Sequence, residues 1–285
     1  MTKISIVTDT DSSMPEALAS KYGILQVPIS INFGEARNET DLTITNKALF
    51  ERIDKEGRLP TTAAPTPGNF ADTFIEAFEL DKSEELVCFC ISSAMSATFE
   101  AAQIAARDIL PDRKITVVDT KTLSVAQGYM AIAAAEAAAR DASVSEIIGI
   151  AESIRDRSFI YGALATLKYL SMSGRVSHIA AGMAGMLNIK PILSVQNGKL
   201  DMLEKVRTKR KAWERVIELT KADAAGSRIE KMAVLHVAVP DDAHEFEILL
   251  RSNFNCPDEI LTVELNPGLS VHTGSGLVGV GFVIF

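Results

Sequence analysis

The hydrophobic residues in the first half of the chain form short runs separated by segments with helical spacing. The clearest example lies at 85–109, where the apolar run 86–91 is followed by small hydroxyl residues and then by an alanine-rich segment. A short apolar run is typical of a buried strand, and the recurrence of Ala101, Ala102 and Ala105 predicts a helix. This stretch therefore predicts a strand, a hydroxyl-rich turn and a helix in succession.

The same alternation extends over residues 1–160. Further apolar runs of strand type occur at 4–7, 24–31 and 115–118. Segments with helical spacing occur at 45–55, 68–79, 125–140 and 143–156. Thr45 can cap the first of them, and Ser143 with Glu146 predicts a capping box at the start of the last. The segment 59–68 contains too many prolines for a helix or a central strand. Strands that alternate with helices form a mostly parallel sheet with helices on both faces. We therefore predict a Rossmann-like α/β domain over residues 1–160.

The second half of the chain has a mixed pattern. Strand-like segments at 188–195 and 200–206 flank Asn197-Gly198, which is a strong signal for a hairpin and so for antiparallel pairing. Helices are predicted from the basic segment 207–211 onward and at 241–251, and strands at 159–164, 232–239, 259–265 and 276–285. This pattern predicts a smaller α+β domain over residues 161–285 with a mixed or antiparallel sheet. The whole chain is thus predicted to be a two-domain α/β protein.

Composition narrows the class of function. The chain has 285 residues, of which 47% are hydrophobic and 23% are charged, as in an ordinary folded protein. A net charge of −8 argues against a general nucleic-acid or anionic-membrane binder. The sequence contains no uncharged apolar stretch long enough to span a bilayer, and its first residues read as a strand rather than a signal peptide. Three cysteines are too few for a disulfide framework, so we expect buried free thiols and a cytoplasmic location.

Small hydroxyl residues follow the predicted strand 86–91 at the point where ligands bind in open α/β sheets. These residues are Ser92, Ser93, Ser96 and Thr98. Ligands of such sheets lie outside the carboxyl ends of the strands. The first amides of the following helix lack backbone partners and favour an anion. The pattern therefore predicts an anion-binding position at this turn.

Asp9-Thr10-Asp11 also follows a strand, and it resembles the nucleophile loop of aspartate-based phosphotransferases. Asp241 and Asp242 could then supply a magnesium pair. The more ordinary interpretation is that Asp11 or Ser12 caps one helix and that Asp241 and Asp242 follow Pro240 into the start of another. It is favoured because the sequence singles out no lysine to act with these aspartates. A metal-dependent phosphotransferase or phosphatase using Asp9 and Asp11 stays the alternative hypothesis.

Other chemical interpretations fit the sequence less well. The polar segment 270–276, which contains His272, is interpreted as a loop. A hydrolase using Ser93 and His272 lacks a G-x-S-x-G elbow and an evident acid to orient the histidine. The remaining histidines do not have the spacing of metal ligands, so no metal site is predicted. The glycines at 274, 276 and 279 match a dinucleotide fingerprint, but the chain continues from them into a strand instead of a helix.

Seven segments in the same order make the chain resemble the DegV family of bacterial fatty-acid-binding proteins, and together they extend over nearly its whole length. They are 6–13, 59–65, 91–98, 118–119, 167–170 with 173–177, 189–192 and 272–276. The resemblance implies two α/β domains with a long-chain fatty acid held between them. It further implies a lipid carrier without catalysis or a cofactor of its own. In characterised members the protein presents the acid to a separate fatty acid kinase, which makes the acyl phosphate for phospholipid synthesis.

The resemblance also implies roles for individual residues. Thr62 and Ser93 would bind the carboxylate, with Thr61, Ser92 and His272 near it. The residues that would meet the phosphate or the kinase are Arg207 and His272, with Arg175 as a further contact. Three positions depart from the family pattern, with Ala63 in place of serine, Ala97 in place of glycine and Ser275 in place of proline.

Physical reasoning supports such a site. Burial of about a dozen methylenes contributes roughly 10 kcal/mol before the cost of association. That requires a slot lined with aliphatic residues, which the segment 179–193 supplies. A buried carboxylate needs hydrogen bonds, and hydroxyl and amide donors at a helix start provide them.

Overall fold

The computed structural model describes residues 3–34, 38–173 and 189–285. Strands were assigned within these residues as follows: β1 Ile4–Asp9, β2 Leu25–Val27, β3 Ser30–Asn32, β4 Asn38–Thr40, β5 Thr61–Ala63, β6 Glu85–Cys90, β7 Lys114–Asp119, β8 Ser158–Ala163, β9 Lys190–Gln196, β10 Lys199–Val206, β11 Ile229–His236, β12 Leu261–Glu264 and β13 Val278–Ile284. The helices are α1 Glu16–Tyr22, α2 Asn46–Glu56, α3 Pro67–Asp81, α4 Thr98–Ile104, α5 Ser124–Ala138, α6 Val144–Asp156, α7 Lys168–Ser173, α8 Lys209–Asp223, α9 Pro240–Asn253 and α10 Pro267–Thr273. A 3₁₀ turn, Thr10–Ser12, follows β1, and a π turn, Ala105–Ile109, continues α4.

The first sheet is parallel throughout, with the strand order β2-β1-β6-β7. Capping residues begin two of the helices in this half of the chain. The Thr66 hydroxyl accepts a hydrogen bond from the Asn69 amide at 3.1 Å and opens α3, and Ser143 with Glu146 forms the predicted capping box of α6. The prediction of a mostly parallel sheet with flanking helices is confirmed.

The second sheet has the order β10-β9-β8-β13-β11-β12 and is antiparallel except for the parallel pair β11 and β12. The predicted hairpin is present. Asn197 and Gly198 both have positive φ, 51° and 77°, as a two-residue turn with the twist of its flanking strands requires. The prediction of a mixed, largely antiparallel sheet in the second half is therefore also confirmed.

A small antiparallel sheet corrects one sequence prediction. The run 24–31 was predicted to be a single strand, but β2 pairs with β1 whereas β3 lies between β4 and β5 in this third sheet. Pro28 separates the two strands, and its missing N–H ends the ladder of the first sheet. The proline-rich segment 59–68 contributes the edge strand β5, where pairing on one side only is needed.

Helix α5 joins the two larger sheets. It contacts β1 and β6 on one side and β8 and β13 on the other, and a continuous hydrophobic core extends from Phe89 through Met130 to Val283. Gly281 permits this approach, because a Cβ there would lie 2.3 Å from Cγ2 of Val125. The chain passes from the first sheet to the second between β7 and β8, and the division into domains near residue 160 stays a prediction.

Candidate functional site

A cavity lies where the carboxyl edge of the first sheet faces the second sheet, with β5 and α10 forming another wall. The space between its lining atoms is about 1020 Å³, part of it open to solvent. Its lining is mostly aliphatic, and residues from both halves of the chain contribute, among them Ile91, Leu123, Ile160, Leu193, Leu235 and Leu269. Such a surface accepts an apolar chain.

Polar side chains interrupt this aliphatic lining at a few places. They are Asp11, Thr62, Ser96, Ser124, Ser194, His272 and Thr273. Thr62 lies on the edge strand β5 and His272 on α10, and Thr62 Oγ1 is 2.9 Å from His272 Nε2. Two of the predicted site residues are thus brought together at the cavity wall.

Helix α10 was not predicted, because the segment 270–276 was interpreted as a polar loop. Pro267, which follows Asn266, occupies the first turn, a position that proline favours, and this signal could have revealed the helix. Gly274 ends it with φ 79°, and a Cβ there would lie 2.2 Å from the Tyr169 ring. The glycines of the 272–276 motif therefore serve the packing of the helix end.

Ser92 and Ser93 do not line the cavity, although Ile91, Met95 and Ser96 beside them do. The buried Ser92 hydroxyl donates to the carbonyl of Gly198 in the β9–β10 hairpin at 2.6 Å. The exposed Ser93 hydroxyl donates to Asp119 Oδ2 at 2.6 Å, and its amide donates to Oδ1 at 3.2 Å. The hydroxyl-rich turn thus fastens the end of β6 to neighbouring segments.

The other predicted site residues lie in different places. Thr61 is exposed beside Thr62, because successive side chains of a strand point to opposite faces. Arg207 is exposed just after β10 and does not line the cavity. Arg175, and the part 179–188 of the predicted aliphatic wall, lie outside the described residues. Of the three departing positions, Ala63 lines the cavity and Ala97 precedes α4.

Asp9 is fully buried, and its carboxyl group holds three segments together. Oδ2 accepts from the Ile91 amide at 2.8 Å, and Oδ1 accepts from the Asp11 amide and from Gln127 Nε2, both at 3.0 Å. Burial raises the pKa of Asp9 to about 7 despite these hydrogen bonds. Asp9, rather than the expected Asp11 or Ser12, is therefore the cap of the turn Thr10–Ser12.

Asp41 and Asp11 complete a buried acidic group with Asp9. Asp41 accepts hydrogen bonds from the Thr10 hydroxyl at 2.6 Å, the Ile29 amide at 3.1 Å and Asn266 Nδ2, and burial raises its pKa to about 6. Burial, followed by the neighbouring carboxyl groups of Asp9 and Asp41, raises the pKa of Asp11 well above its usual range. The pattern of the sequence did not reveal Asp11 as a cavity residue, since the burial of a single carboxyl group is a tertiary property.

The side chains that a phosphotransferase or a Ser93/His272 hydrolase would use make other contacts. Asp242, in the first turn of α9, pairs with Lys209, whereas the Asp9 carboxyl accepts from the Ile91 amide. Ser93 is bonded to Asp119 while His272 contacts Thr62. In the described part of the chain, no group of three or more His, Cys, Asp or Glu side chains is placed to hold a metal ion. Over the same residues, the helices are all too short or too polar to cross a membrane.

The fold and cavity define a class: an α/β protein with an internal, largely aliphatic ligand cavity between a parallel and an antiparallel sheet. A family model described as "Uncharacterised protein, DegV family" matches residues 3–284. The chain therefore belongs to the DegV family.

Relatives and solved structures match it over almost their full length. A DegV domain-containing protein of Streptomyces coelicolor is 34% identical over 278 residues, which cover 97% of both chains. A DegV family protein of Thermus thermophilus, whose structure is described by its fatty acid binding, is 28% identical with a TM-score of 0.87, covering 99% of this chain and 100% of that one. DegV of Bacillus subtilis, described as a fatty acid binding protein, is 27% identical with a TM-score of 0.87 and full coverage of both chains.

Proposed function

We propose that this protein binds a long-chain fatty acid in the cavity between its sheets and presents it to a separate fatty acid kinase, without catalysis of its own. The observation on which the proposal rests is the aliphatic cavity with Thr62 and His272 paired at its wall. The fatty acid binding described for the Thermus thermophilus and Bacillus subtilis proteins supports the same ligand class.

The carboxylate of the acid binds at the Thr62–His272 pair. A carboxylate that leaves water needs hydrogen-bond donors. With an Nε2–H of His272 donating to the Thr62 oxygen, the Thr62 hydroxyl proton is free to donate to the carboxylate. Both atoms belong to side chains that line the cavity, so the apolar chain can extend from them over aliphatic surface. Burial of that chain supplies most of the favourable free energy, at about 0.8 kcal/mol per methylene.

Ser93 joins the headgroup site only after a local change. Its single hydroxyl proton is donated to Asp119, so the hydroxyl must turn away from Asp119 before it can donate to a ligand. Ser92 and Thr61 support the site from outside the cavity, Ser92 through its bond to Gly198. Because a hydroxyl group donates to it, the carboxylate at this site can still attack a phosphoryl group.

The kinase contacts the protein beside the β9–β10 hairpin. Arg207 is exposed at the end of β10 and precedes α8, whose first turn is basic. A guanidinium group binds phosphate oxygens in a fixed, bidentate geometry. Arg207 therefore meets the transferred phosphate or the kinase, with His272 on the cavity side and Arg175 as a further contact. The buried free thiols of Cys88 and Cys90 agree with a cytoplasmic location.

The test of ligand binding is native mass spectrometry of the protein purified from bacteria, followed by extraction and identification of the lipid. We expect a mass increase equal to one long-chain fatty acid. A preparation without lipid that also fails to take up added octadecanoic acid would overturn the proposal. Acyl-phosphate formation by a fatty acid kinase, with and without this protein, then tests the carrier role.

A further inference from the structure

The carboxyl group of Asp11 is an unusual part of the cavity wall. The residue is only 5% exposed, yet it lines a cavity whose other walls are mostly aliphatic. Among the described residues, its carboxyl accepts one long hydrogen bond, from Asn266 Nδ2 to Oδ1 at 3.4 Å. Its second oxygen has no protein partner in the described part of the chain. A polar group that is buried and incompletely bonded needs another partner, and the cavity is where that partner can lie.

Asp11 and the Thr62–His272 pair lie at different positions along the cavity. Asn266, which contacts Asp11, precedes α10, and His272 follows six residues later, a rise of roughly 9 Å along the helix axis. The small sheet of β3, β4 and β5 gives a second estimate of this separation. Ile31 pairs with Thr62, whereas Ile29 lies two residues earlier beside Asp41, a rise of roughly 7 Å along the strand. The backbone positions of Asn266 and Ile29, beside the acidic group, thus lie roughly 7 to 9 Å from those of His272 and of Ile31, the pairing partner of Thr62. We therefore treat Asp11 and the Thr62–His272 pair as separate polar positions of the cavity.

We infer that Asp11 binds a hydroxyl group on the acyl chain, so that the cavity favours a long-chain acid with a mid-chain hydroxyl. This inference rests on the proposed function, since it takes the position of the carboxylate from it. A separation of roughly 7 to 9 Å corresponds to about six or seven carbon–carbon bonds of about 1.5 Å in an extended zigzag chain. The hydroxyl is therefore expected about seven carbons from the carboxyl group.

The chemistry of a neutral carboxyl group suits this ligand. The charged groups that act on Asp11 are the carboxyl groups of Asp9 and Asp41, and His272 lines the same cavity farther along α10. Burial and the two neighbouring acids raise the pKa of Asp11, which favours its protonated form. A protonated carboxyl group has one donor and one carbonyl acceptor, and an alcohol has both as well, so the two can pair.

The experiment compares three ligands on the full chain: octadecanoic acid, its isomer hydroxylated about seven carbons from the carboxyl group, and an isomer hydroxylated near the methyl end. Dissociation constants are measured by calorimetry after removal of any bound lipid. We expect the mid-chain isomer to bind roughly five- to ten-fold more tightly than the methyl-end isomer, the effect of one net hydrogen bond. Equal affinities of the two isomers for the wild-type protein would overturn the inference.

Variants identify the residue responsible. Asp11→Val should reduce the ratio of the two affinities to about one, while Asp11→Asn, which keeps a donor and an acceptor, should preserve a preference. The control is Asp72→Val on the exposed face of α3, which should leave the ratio of the two affinities as in the wild type. A preference that persists in Asp11→Val would contradict the assignment.

If Asp11→Val does not fold, a series of hydroxyl positions tested on the wild-type protein decides the question, with tightest binding expected about seven carbons from the carboxyl group. Tightest binding at another position, or none, would count against Asp11. Failure of the proposed function is distinguishable from these outcomes, because then none of the three acids binds.

Discussion

The Thr62 hydroxyl and the His272 imidazole lie 2.9 Å apart, although 210 residues separate them in the chain. An edge strand of three residues supplies one and a helix of seven residues supplies the other. Because both side chains line the cavity, the pair links the N-terminal loops and the C-terminal segment at one polar position on an aliphatic surface.

Replacement of Thr62 by valine should weaken fatty acid binding with little effect on the fold. Valine has the same shape but no hydroxyl, so one donor to the carboxylate is lost. We expect the dissociation constant of octadecanoic acid to rise roughly ten-fold, since hydrogen bonds to charged groups contribute about 1.5–3 kcal/mol. The control is Thr262→Val on the exposed edge strand β12, which should bind as the wild type does. Equal affinities of the two variants would exclude Thr62 from the headgroup site.

Ser93 and Asp119 should have opposite effects on affinity. Ser93→Ala removes a donor and should weaken binding, whereas Asp119→Asn removes the carboxylate that accepts the Ser93 hydroxyl proton and should strengthen binding about two- to five-fold. In the double variant the gain should disappear, because it depends on the hydroxyl. A gain from Asp119→Asn that survives in the absence of Ser93 would show that the two residues act independently.

The close contact between Ser92 and Gly198 predicts that alanine destabilises the protein more at Gly198 than at a glycine of similar backbone conformation elsewhere. The backbone at Gly198 (φ 77°) and at Gly226 (φ 79°) is in a conformation that favours glycine. Alanine at either position should therefore lower the free energy of unfolding by about 1 kcal/mol. At Gly198 the added Cβ would also lie 2.7 Å from Ser92 Oγ, whereas at Gly226 no atom of the described residues lies within 4 Å. Urea unfolding should therefore show Gly198→Ala to be less stable than Gly226→Ala by roughly 1 kcal/mol or more. Equal losses of stability in the two variants would mean that the hairpin moves away from Ser92 without a cost in free energy.

Local sequence signals predicted the parts of the fold that depend on neighbouring residues. The capping box of Ser143 and Glu146 and the Asn197-Gly198 turn are determined within four residues, and both were predicted correctly. Pattern alone did not reveal β5, because a strand of three residues between prolines is stabilised by its pairing with β3.

The candidate site was predictable only in part. Resemblance to the family pointed to Thr62 and His272, but their contact depends on α10, which was interpreted as a loop. The bond from Ser93 to Asp119 joins the ends of two strands, and no spacing in the sequence specifies it. The sequence suggested Asp11 as a nucleophile or a cap, but not as a cavity residue. Its burial beside Asp9 and Asp41 exists only in the folded chain and could not be predicted.

The pKa of Asp9 predicts how stability depends on pH. Its value in the folded protein, about 7, lies above the 3.8 of an ordinary aspartate. Between these values the folded protein holds a proton that the unfolded chain has released. The free energy of unfolding therefore falls as the pH rises through this window, by up to about 4 kcal/mol from this group. His236 contributes with the opposite sign, because burial lowers its pKa and the unfolded chain then binds the extra proton.

Comparison of the wild type with Asp9→Asn tests the contribution of Asp9 together with its effect on the neighbouring Asp11, since His236 is common to both proteins. Asparagine cannot ionise, so the variant should lose less stability than the wild type when chemical unfolding is repeated from about pH 5 to about pH 8. The difference between the two proteins should therefore shrink, or change sign, as the pH rises. The control is Asp72→Asn on the exposed face of α3, for which the difference from the wild type should be the same at every pH. Parallel profiles for the wild type and Asp9→Asn would show that the Asp9 carboxyl is ionised in the folded protein throughout this range.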